Sequence, residues 1–254
     1  MGLINVIKTI FTGSLETEKK QPGLQKIGIA EAVCPYCGVE LEKKPTRKKK
    51  CPDCNNYIFV RTSPLDKSKI LITEDEIDLI EEQWAIYNGT YDDYLSQKKK
   101  FEYEREKLTK KFGSKASEND IKWSLLNEEL LSNAKNGDWG FYRNTKFALT
   151  NILVKEERYI DALLGYIEIC YIDLNGPNKT GRMKDSHFPP FSTDRAFLAP
   201  GIVKKIAKMI KVLNLDKTEV EILFFKISNK LVKSIKLPLS PKKAWARISD
   251  ELSY

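Results

Sequence analysis

Residues 34–55 read CPYCGVELEKKPTRKKKCPDCN, and this stretch decides how the N-terminal part of the chain folds. It holds two Cys-x-x-Cys pairs thirteen residues apart, formed by Cys34 with Cys37 and by Cys51 with Cys54. Each pair places two sulfur atoms on one side of a cation, and two pairs complete a tetrahedral set of thiolates. The spacing therefore predicts metal ligation rather than disulfide bonds, with structural Zn²⁺ as the expected cofactor.

The residues around the cysteines suit two equivalent turns. The residue after the second cysteine of such a turn usually needs a positive φ, and Gly38 and Asn55 stand at those two positions. The interval between the pairs suits a β-hairpin, and we expect the strand that starts at Tyr57 to pair with Val39 and Leu41. A closed four-thiolate site leaves no open position for water, so this metal should not catalyse a reaction.

The segment from residue 32 to residue 62 resembles a four-cysteine zinc ribbon. The residues around its cysteines also resemble ribbon segments in uncharacterised proteins of bacteria and their phages. The resemblance implies that the four cysteines ligate a structural zinc ion. A rubredoxin-like iron site shares this ligand set but uses a longer interval. Zinc ribbons bind DNA, RNA, proteins or no partner, so the resemblance implies little about function.

The tip of the expected hairpin is strongly basic. Six of its eight residues carry positive charge: Lys43, Lys44, Arg47, Lys48, Lys49 and Lys50. They are candidate contacts to nucleic acid phosphates, and the alternative is a solvated tip that keeps a small module soluble. Tyr57 and Phe59 could stack on bases, but the sequence favours them as part of the small core of the ribbon.

Composition and net charge narrow the classes of partner and functional site that the chain can have. The chain has 254 residues, is 41% hydrophobic, and carries a formal net charge of +8. This excess of basic over acidic residues favours polyanionic partners. The only histidine is His187, which excludes sites that need two or three imidazole ligands.

The rest of the chain is predicted to be helical, so we expect a mostly α fold with a small β zinc ribbon followed by an all-helical bundle. Predicted helices span residues 73–88, 94–111, 117–136, 139–155, 159–174, 201–214, 217–234 and 241–252. The predicted organisation has four parts: a short amphipathic helix and linker (1–31), the ribbon (32–62), a charged helical connector (73–112) and a helical domain (114–254).

Residues 149–174 resemble one tetratricopeptide-type helical hairpin. The matching positions are Leu149, Tyr159, Ala162, Tyr166 and Asp173. Thr150, Glu157 and Ile169 depart from the pattern, and Glu157 replaces the glycine of the turn. No second copy is convincing, and a solenoid needs about three, so we expect a bundle that contains one repeat-like hairpin.

Positive charge is concentrated in the last part of the chain. Residues 201–254 contain twelve basic and five acidic residues, and Lys204, Lys205 and Lys208 follow one face of an amphipathic helix. These three lysines are further candidate contacts to nucleic acid. A helix-turn-helix around Leu213 is less favoured, because Glu219 and Glu221 begin its second helix.

Other chemical signals are weak. His187, with Asp185 and Asp194 in the irregular stretch 175–199, is a minor candidate for acid–base chemistry. Cys170 lies among apolar residues of a predicted helix and is expected to be a core thiol.

The sequence thus favours a non-catalytic zinc-ribbon protein that contacts DNA or RNA through the basic tip and the C-terminal helices. A protein-interaction adaptor with structural zinc is the first alternative, and a metal-dependent nuclease is the second. The N-terminal residues lack a basic segment and a cleavage site, and no apolar run approaches the ~18 residues of a membrane span, so we expect a cytoplasmic protein without a transmembrane segment.

Overall fold

Among the described residues of the N-terminal unit, which extends to Lys100, three short antiparallel strands form a sheet. They are β1 (Lys49–Lys50), β2 (Tyr57–Thr62) and β3 (Lys69–Ile72), in the spatial order β1-β2-β3. Ile29 pairs with Leu71 in an isolated bridge on β3. The structure is a computed structural model and describes residues 22–178 and 189–252. The amphipathic helix predicted near residues 3–11 lies outside these residues.

The two faces of the sheet bury different partners, as the alternation of side chains along a strand requires. Ile58 of β2 packs with Leu71, Cys34 and Cys51. The next residue, Phe59, belongs to a separate cluster, formed with Ile70, Ile72 and Ile80. Ile80 lies on α1 (Glu76–Tyr87), so the sheet separates the cysteines from this helix.

The strand pairing differs from the one predicted for β2. Lys49 is paired with Ile58, and Phe59 is paired with Ile72, so β2 lies between β1 and β3. The segment expected as its partner bonds within the first turn instead, because the Leu41 N–H donates to the carbonyl of Ala32. The sheet therefore extends beyond residue 62, the predicted end of the ribbon.

The helix α1 begins three residues later than predicted. The Glu76 carboxylate accepts hydrogen bonds from both the N–H and the hydroxyl of Thr73, and the helix starts at Glu76 itself. A second helix, α2 (Tyr91–Phe112), follows and ends before Gly113, whose φ is 69°.

The second unit begins at Phe101, and its described residues contain six further α-helices. They are α3 (Glu118–Asn136), α4 (Trp139–Lys155), α5 (Tyr159–Leu174), α6 (Pro200–Leu213), α7 (Lys217–Ser234) and α8 (Pro241–Ser249). Ser117 and Asp120 form a full capping box at α3, and Asp216 with Glu219 forms one at α7. Both boxes satisfy backbone donors that a helix start otherwise leaves free.

Helix α5 forms the centre of this unit. The helices α4, α6, α7 and α8 all pack against it, and every residue from Gly165 to Leu174 is buried. Burial raises the pKa of the Cys170 thiol to about 12, so Cys170 is the core thiol that was predicted. Helices α6 and α7 each pack on α5.

The hairpin of α4 and α5 explains two departures from the tetratricopeptide pattern. Glu157 adopts a φ of 58° in the turn, the conformation that the usual glycine would supply. Thr150 faces Gly165, where a Cβ atom would lie 2.4 Å from the Thr150 hydroxyl oxygen. The small residue at this helix contact is therefore on α5 rather than on α4.

Buried hydrogen bonds attach the segment before α8 to the end of α5. The Tyr171 hydroxyl donates to the carbonyl of Leu239 at 2.8 Å, and the Leu239 N–H donates to the side-chain oxygen of Asn175 at 2.7 Å. The fold is thus mostly helical with one small sheet, and the cysteine cluster precedes the helical region, as the fold class predicted.

Candidate functional site

The two Cys-x-x-Cys turns have the same backbone hydrogen bonds. In the first, the Cys34 N–H donates to the Val39 carbonyl and the Gly38 N–H donates to the Cys34 carbonyl. In the second, the Cys51 N–H donates to the Asn56 carbonyl and the Asn55 N–H donates to the Cys51 carbonyl. Gly38 has a φ of 75° and Asn55 a φ of 58°, as predicted for the residue that ends each turn.

These turns bring the four cysteine sulfur atoms to within 4.8 Å of one another. The Cys34 and Cys54 sulfurs are 3.8 Å apart, and those of Cys37 and Cys51 are 3.7 Å apart. Four sulfurs placed tetrahedrally about 2.3 Å from a zinc ion are about 3.8 Å from each other. The cluster therefore fits one metal ion of this size, and none of the four cysteines is in a disulfide.

The electrostatics of the cluster favour unequal protonation. The Val39 N–H favours the Cys37 thiolate, but desolvation and the neighbouring thiols outweigh it and raise the pKa of Cys37 to about 12. Desolvation disfavours the Cys51 thiolate, but N–H groups of Cys54 and Asp53 and the neighbouring thiols lower its pKa to about 7. Backbone donors are thus already aimed at the sulfurs that a cation would bind as thiolates.

The metal site also belongs to the core of its unit. Cys34 and Cys51 are each 1% exposed and pack with Ile58 and Leu71, which are fully buried. Within residues 22–178 and 189–252, the four cysteines are the one group of metal-ligating side chains that is close enough to hold an ion. A cation here would join both turns to the sheet.

The basic tip divides into exposed and internally bonded residues. Five of the six predicted contacts are exposed: Lys43, Arg47, Lys48, Lys49 and Lys50. Lys44 is half-buried, and its ammonium donates to the carbonyls of Ala30 and Lys69. Lys44 therefore joins the segment before the first turn to the start of β3, whereas the other five basic residues remain on the surface.

The two aromatic residues that follow the second turn have different environments. Phe59 is 7% exposed and belongs to the core, as the sequence favoured. Tyr57 is 46% exposed, so that interpretation is wrong for Tyr57. The Lys48 ammonium lies 4.3 Å from the centre of the Tyr57 ring, and that of Lys50 lies 5.1 Å from it. Tyr57 stays exposed because its strand partner is Lys50, on the edge strand, rather than an apolar residue of β3.

The three lysines on α6 are also divided. Lys204 and Lys208 are exposed. Lys205 is half-buried, and its ammonium lies 5.4 Å from the centre of the Tyr166 ring and 5.5 Å from that of Phe147. Its long side chain thus covers the α4–α5 hairpin.

The acid–base candidates stay largely undescribed, since Asp185 and His187 lie outside the described residues. Asp194 lies in a single turn of 3₁₀ helix, Thr193–Arg195, where its N–H donates to the Ser192 hydroxyl.

Sequence reasoning missed a polar network inside the helical unit. Glu168 of α5 is 8% exposed; the Tyr142 hydroxyl donates to it at 2.6 Å, and the Lys146 ammonium lies 2.7 Å away. Burial raises the pKa of Tyr142 well above its usual range, and the Glu168 carboxylate adds to the effect. An acidic residue inside the most apolar helix was the available signal.

A pocket opens over this network, and all of its walls belong to the helical unit. They are Ala134, Lys135, Trp139, Tyr142, Lys146, Glu168, Ile227, Lys230, Leu231, Ser234 and Ile235. The pocket lies where the ends of α3 and α7 meet the first turns of α4 over α5.

No protein-family model matches the chain, and no curated protein or solved structure is significantly similar to it. The ribbon resemblance therefore stands on the cysteine motif and its geometry. Among the helices that the structure describes, none has the length and apolar character needed to cross a membrane.

Proposed function

We propose that the protein is a non-catalytic zinc-ribbon protein that binds nucleic acid through the exposed tip of the ribbon. The observation that carries the proposal is the unneutralised charge of that tip. Among the described residues, no carboxylate forms an ion pair with Lys43, Arg47, Lys48, Lys49 or Lys50. Five cations that have no ion-pair partner in the described part of the chain attract a polyanion and release its bound counterions.

Zinc has a structural role in this proposal. Four thiolates would complete its coordination and leave no position for water or substrate, so the ion would hold the tip in place without taking part in chemistry. The sheet supports the same role, because Lys49 and Lys50 form β1 and the next residue, Cys51, is a ligand. Lys204 and Lys208 would add a second region of positive charge on the helical unit.

The test is the salt dependence of binding to fluorescent oligonucleotides, followed by fluorescence anisotropy. We expect affinity to fall steeply with salt and the Lys48/Lys49/Lys50→Ala variant to bind more weakly. Losing three phosphate contacts should lower the slope of log K against log salt by about 2 for a single strand and by about 3 for duplex DNA.

A matched control is available in the same unit of the chain. The Lys98/Lys99/Lys100→Ala variant removes the same charge from exposed positions on α2. We expect it to retain most of the affinity. Equal losses in both variants would mean that net charge rather than the tip attracts the ligand, and absence of binding at low salt would refute the proposal.

A further inference from the structure

Tyr57 combines exposure with a fixed position. It is the first residue of β2, and 46% of its surface is exposed. The Asn56 carbonyl before it accepts from the Cys51 N–H, and Phe59, two residues later on the same face, is held in the core. An aromatic ring presented on such a rigid backbone is a preformed stacking surface, since little conformational freedom is left to lose on binding.

The cations around this ring are also fixed by the sheet. Lys50 lies directly opposite Tyr57 on β1, and Lys48 lies two residues before it on the same face. The Lys48 ammonium is 4.3 Å from the centre of the Tyr57 ring and 4.4 Å from that of Phe59. Two ammonium groups thus lie over an exposed ring, so a base that stacks on this ring takes the place of the ammonium over that face, and the displaced ammonium can meet the adjacent phosphate.

This arrangement discriminates between the forms of nucleic acid. In a duplex, the faces of the bases are covered by their neighbours, so an aromatic side chain on a protein surface reaches only phosphates and groove edges. In a single strand, the bases can turn outward and stack on aromatic rings, while basic groups follow the backbone. Tyr57 contributes nothing to duplex binding unless a base leaves the stack.

We infer that the ribbon tip binds single-stranded nucleic acid, with one base stacked on Tyr57 and the adjacent phosphates on Lys48 and Lys50. The inference rests on the proposed function and adds the class of ligand and the residue that selects it. It predicts weak sequence preference, because every base has a π-face and the tip offers cations rather than paired donors and acceptors for base edges.

The experiment compares full-length, metal-loaded protein on three fluorescent probes: a twelve-nucleotide oligo(dU), the matching oligo(U), and a twelve-base-pair DNA duplex. We expect both single strands to bind more tightly than the duplex. Tyr57→Ala should weaken binding to the single strands about tenfold and leave the duplex nearly unchanged, whereas Tyr57→Phe should keep the affinity. Because no phosphate contact is removed, Tyr57→Ala should leave the salt slope unchanged, unlike Lys48/Lys50→Ala.

Tyr87→Ala is the matched control. Tyr87 is 49% exposed on α1 of the same unit, and the Lys67 ammonium lies 3.2 Å from the centre of its ring, so it is a second exposed tyrosine with a lysine on it. We expect this variant to bind both single strands as the parent does. Metal content measured on every variant verifies that the ribbon is intact.

Two results would overturn the inference and leave the proposed function standing: equal affinity for duplex and single strands, or a Tyr57→Ala variant that binds like the parent while the lysine variant does not. A loss in Tyr87→Ala equal to that in Tyr57→Ala would also overturn it. Absence of binding to all three probes would refute both. A preference between oligo(dU) and oligo(U), which differ only in the 2′-hydroxyl, then identifies DNA or RNA as the source of the strand.

Discussion

The guanidinium of Arg143 and the carboxylate of Asp173 form two parallel hydrogen bonds, from Nε to Oδ1 and from Nη2 to Oδ2, each of 2.8 Å. The Asp173 side chain is 1% exposed and that of Arg143 is 16% exposed. The pair connects α4 to α5 in the repeat-like hairpin. Both charges are therefore compensated by each other rather than by water.

Removing the charge of Asp173 should destabilise the helical unit. Asp173→Asn leaves the guanidinium without its buried counter-charge, and we expect a loss of about 3 kcal/mol in the free energy of unfolding. Urea titration followed by circular dichroism at the helical band measures it. Asp161→Asn is the control, because Asp161 pairs with Arg158 at an exposed site and should cost less than about 1 kcal/mol. Equal effects would contradict the burial argument.

The turn between α4 and α5 contains a position that a glycine would suit better. Glu157 has a φ of 58°, and a side chain in this region costs about 1 kcal/mol. We expect Glu157→Gly to raise the unfolding free energy by about that amount, seen as a higher urea midpoint. The neighbouring Glu156 has a φ of −90°, so Glu156→Gly should destabilise the protein instead. Stabilisation by both changes would show that the gain is unrelated to φ.

Metal removal should unfold the sheet unit and spare the helical unit. The cysteines supply a large part of the buried core around Ile58 and Leu71. Without an ion to join the cysteines, this core is too small to keep the sheet folded. We expect about one zinc ion per chain by elemental analysis, and loss of the sheet's amide protection in hydrogen exchange after chelation. Cys51→Ser should lose the ion and Cys170→Ala should keep it. A sheet that stays protected without metal would contradict this.

Cys170 should resist alkylation in the folded protein. Its pKa is raised by burial from an ordinary value of 9.0 to about 12, so at pH 8 the thiol is protonated and is a poor nucleophile. Iodoacetamide treatment of chelated protein, analysed by mass spectrometry, should modify the four ribbon cysteines and leave Cys170 unmodified until urea is added. Modification of all five cysteines at one rate would show that α5 opens readily.

The same shift has a consequence for stability at high pH. Folding favours the protonated thiol, so the unfolded chain releases its proton first as the pH rises. The contribution of Cys170 is fully present below pH 9 and is lost progressively towards pH 12. A Cys170→Ala variant should therefore show a weaker decline in unfolding free energy over that range. An identical decline in both proteins would assign it to other groups.

Local chemistry made much of the fold predictable. Gly38 and Asn55 end the two turns with the positive φ that their types allow, and the capping boxes at Ser117 and Asp216 mark helix starts within one turn. Apolar residues cover most faces of residues 159–174, a pattern typical of a buried helix, and α5 is buried along most of its length. Each of these signals depends on residues within about one helical turn of each other.

The features that were missed depend on residues far apart in the chain. The strand β3 has no alternating pattern because both faces are covered, so nothing marked it as the partner of β2. Lys44 belongs to a run of basic residues, and its two carbonyl partners could not be identified from sequence. Arg143 and Asp173 are 30 residues apart and meet only after α4 and α5 pack.

The hydrogen bonds between Tyr171, Asn175 and Leu239 also determine when each unit can form. The Cys34 and Cys54 sulfurs are separated by 20 residues, so the ribbon closes a short loop and can form as soon as its own segment is available. Tyr171 is separated from Leu239 by 68 residues, and α8 follows that contact. During synthesis the bonds at the end of α5 must therefore wait until the segment before α8 has been made, so this end of the helix is completed later than the ribbon.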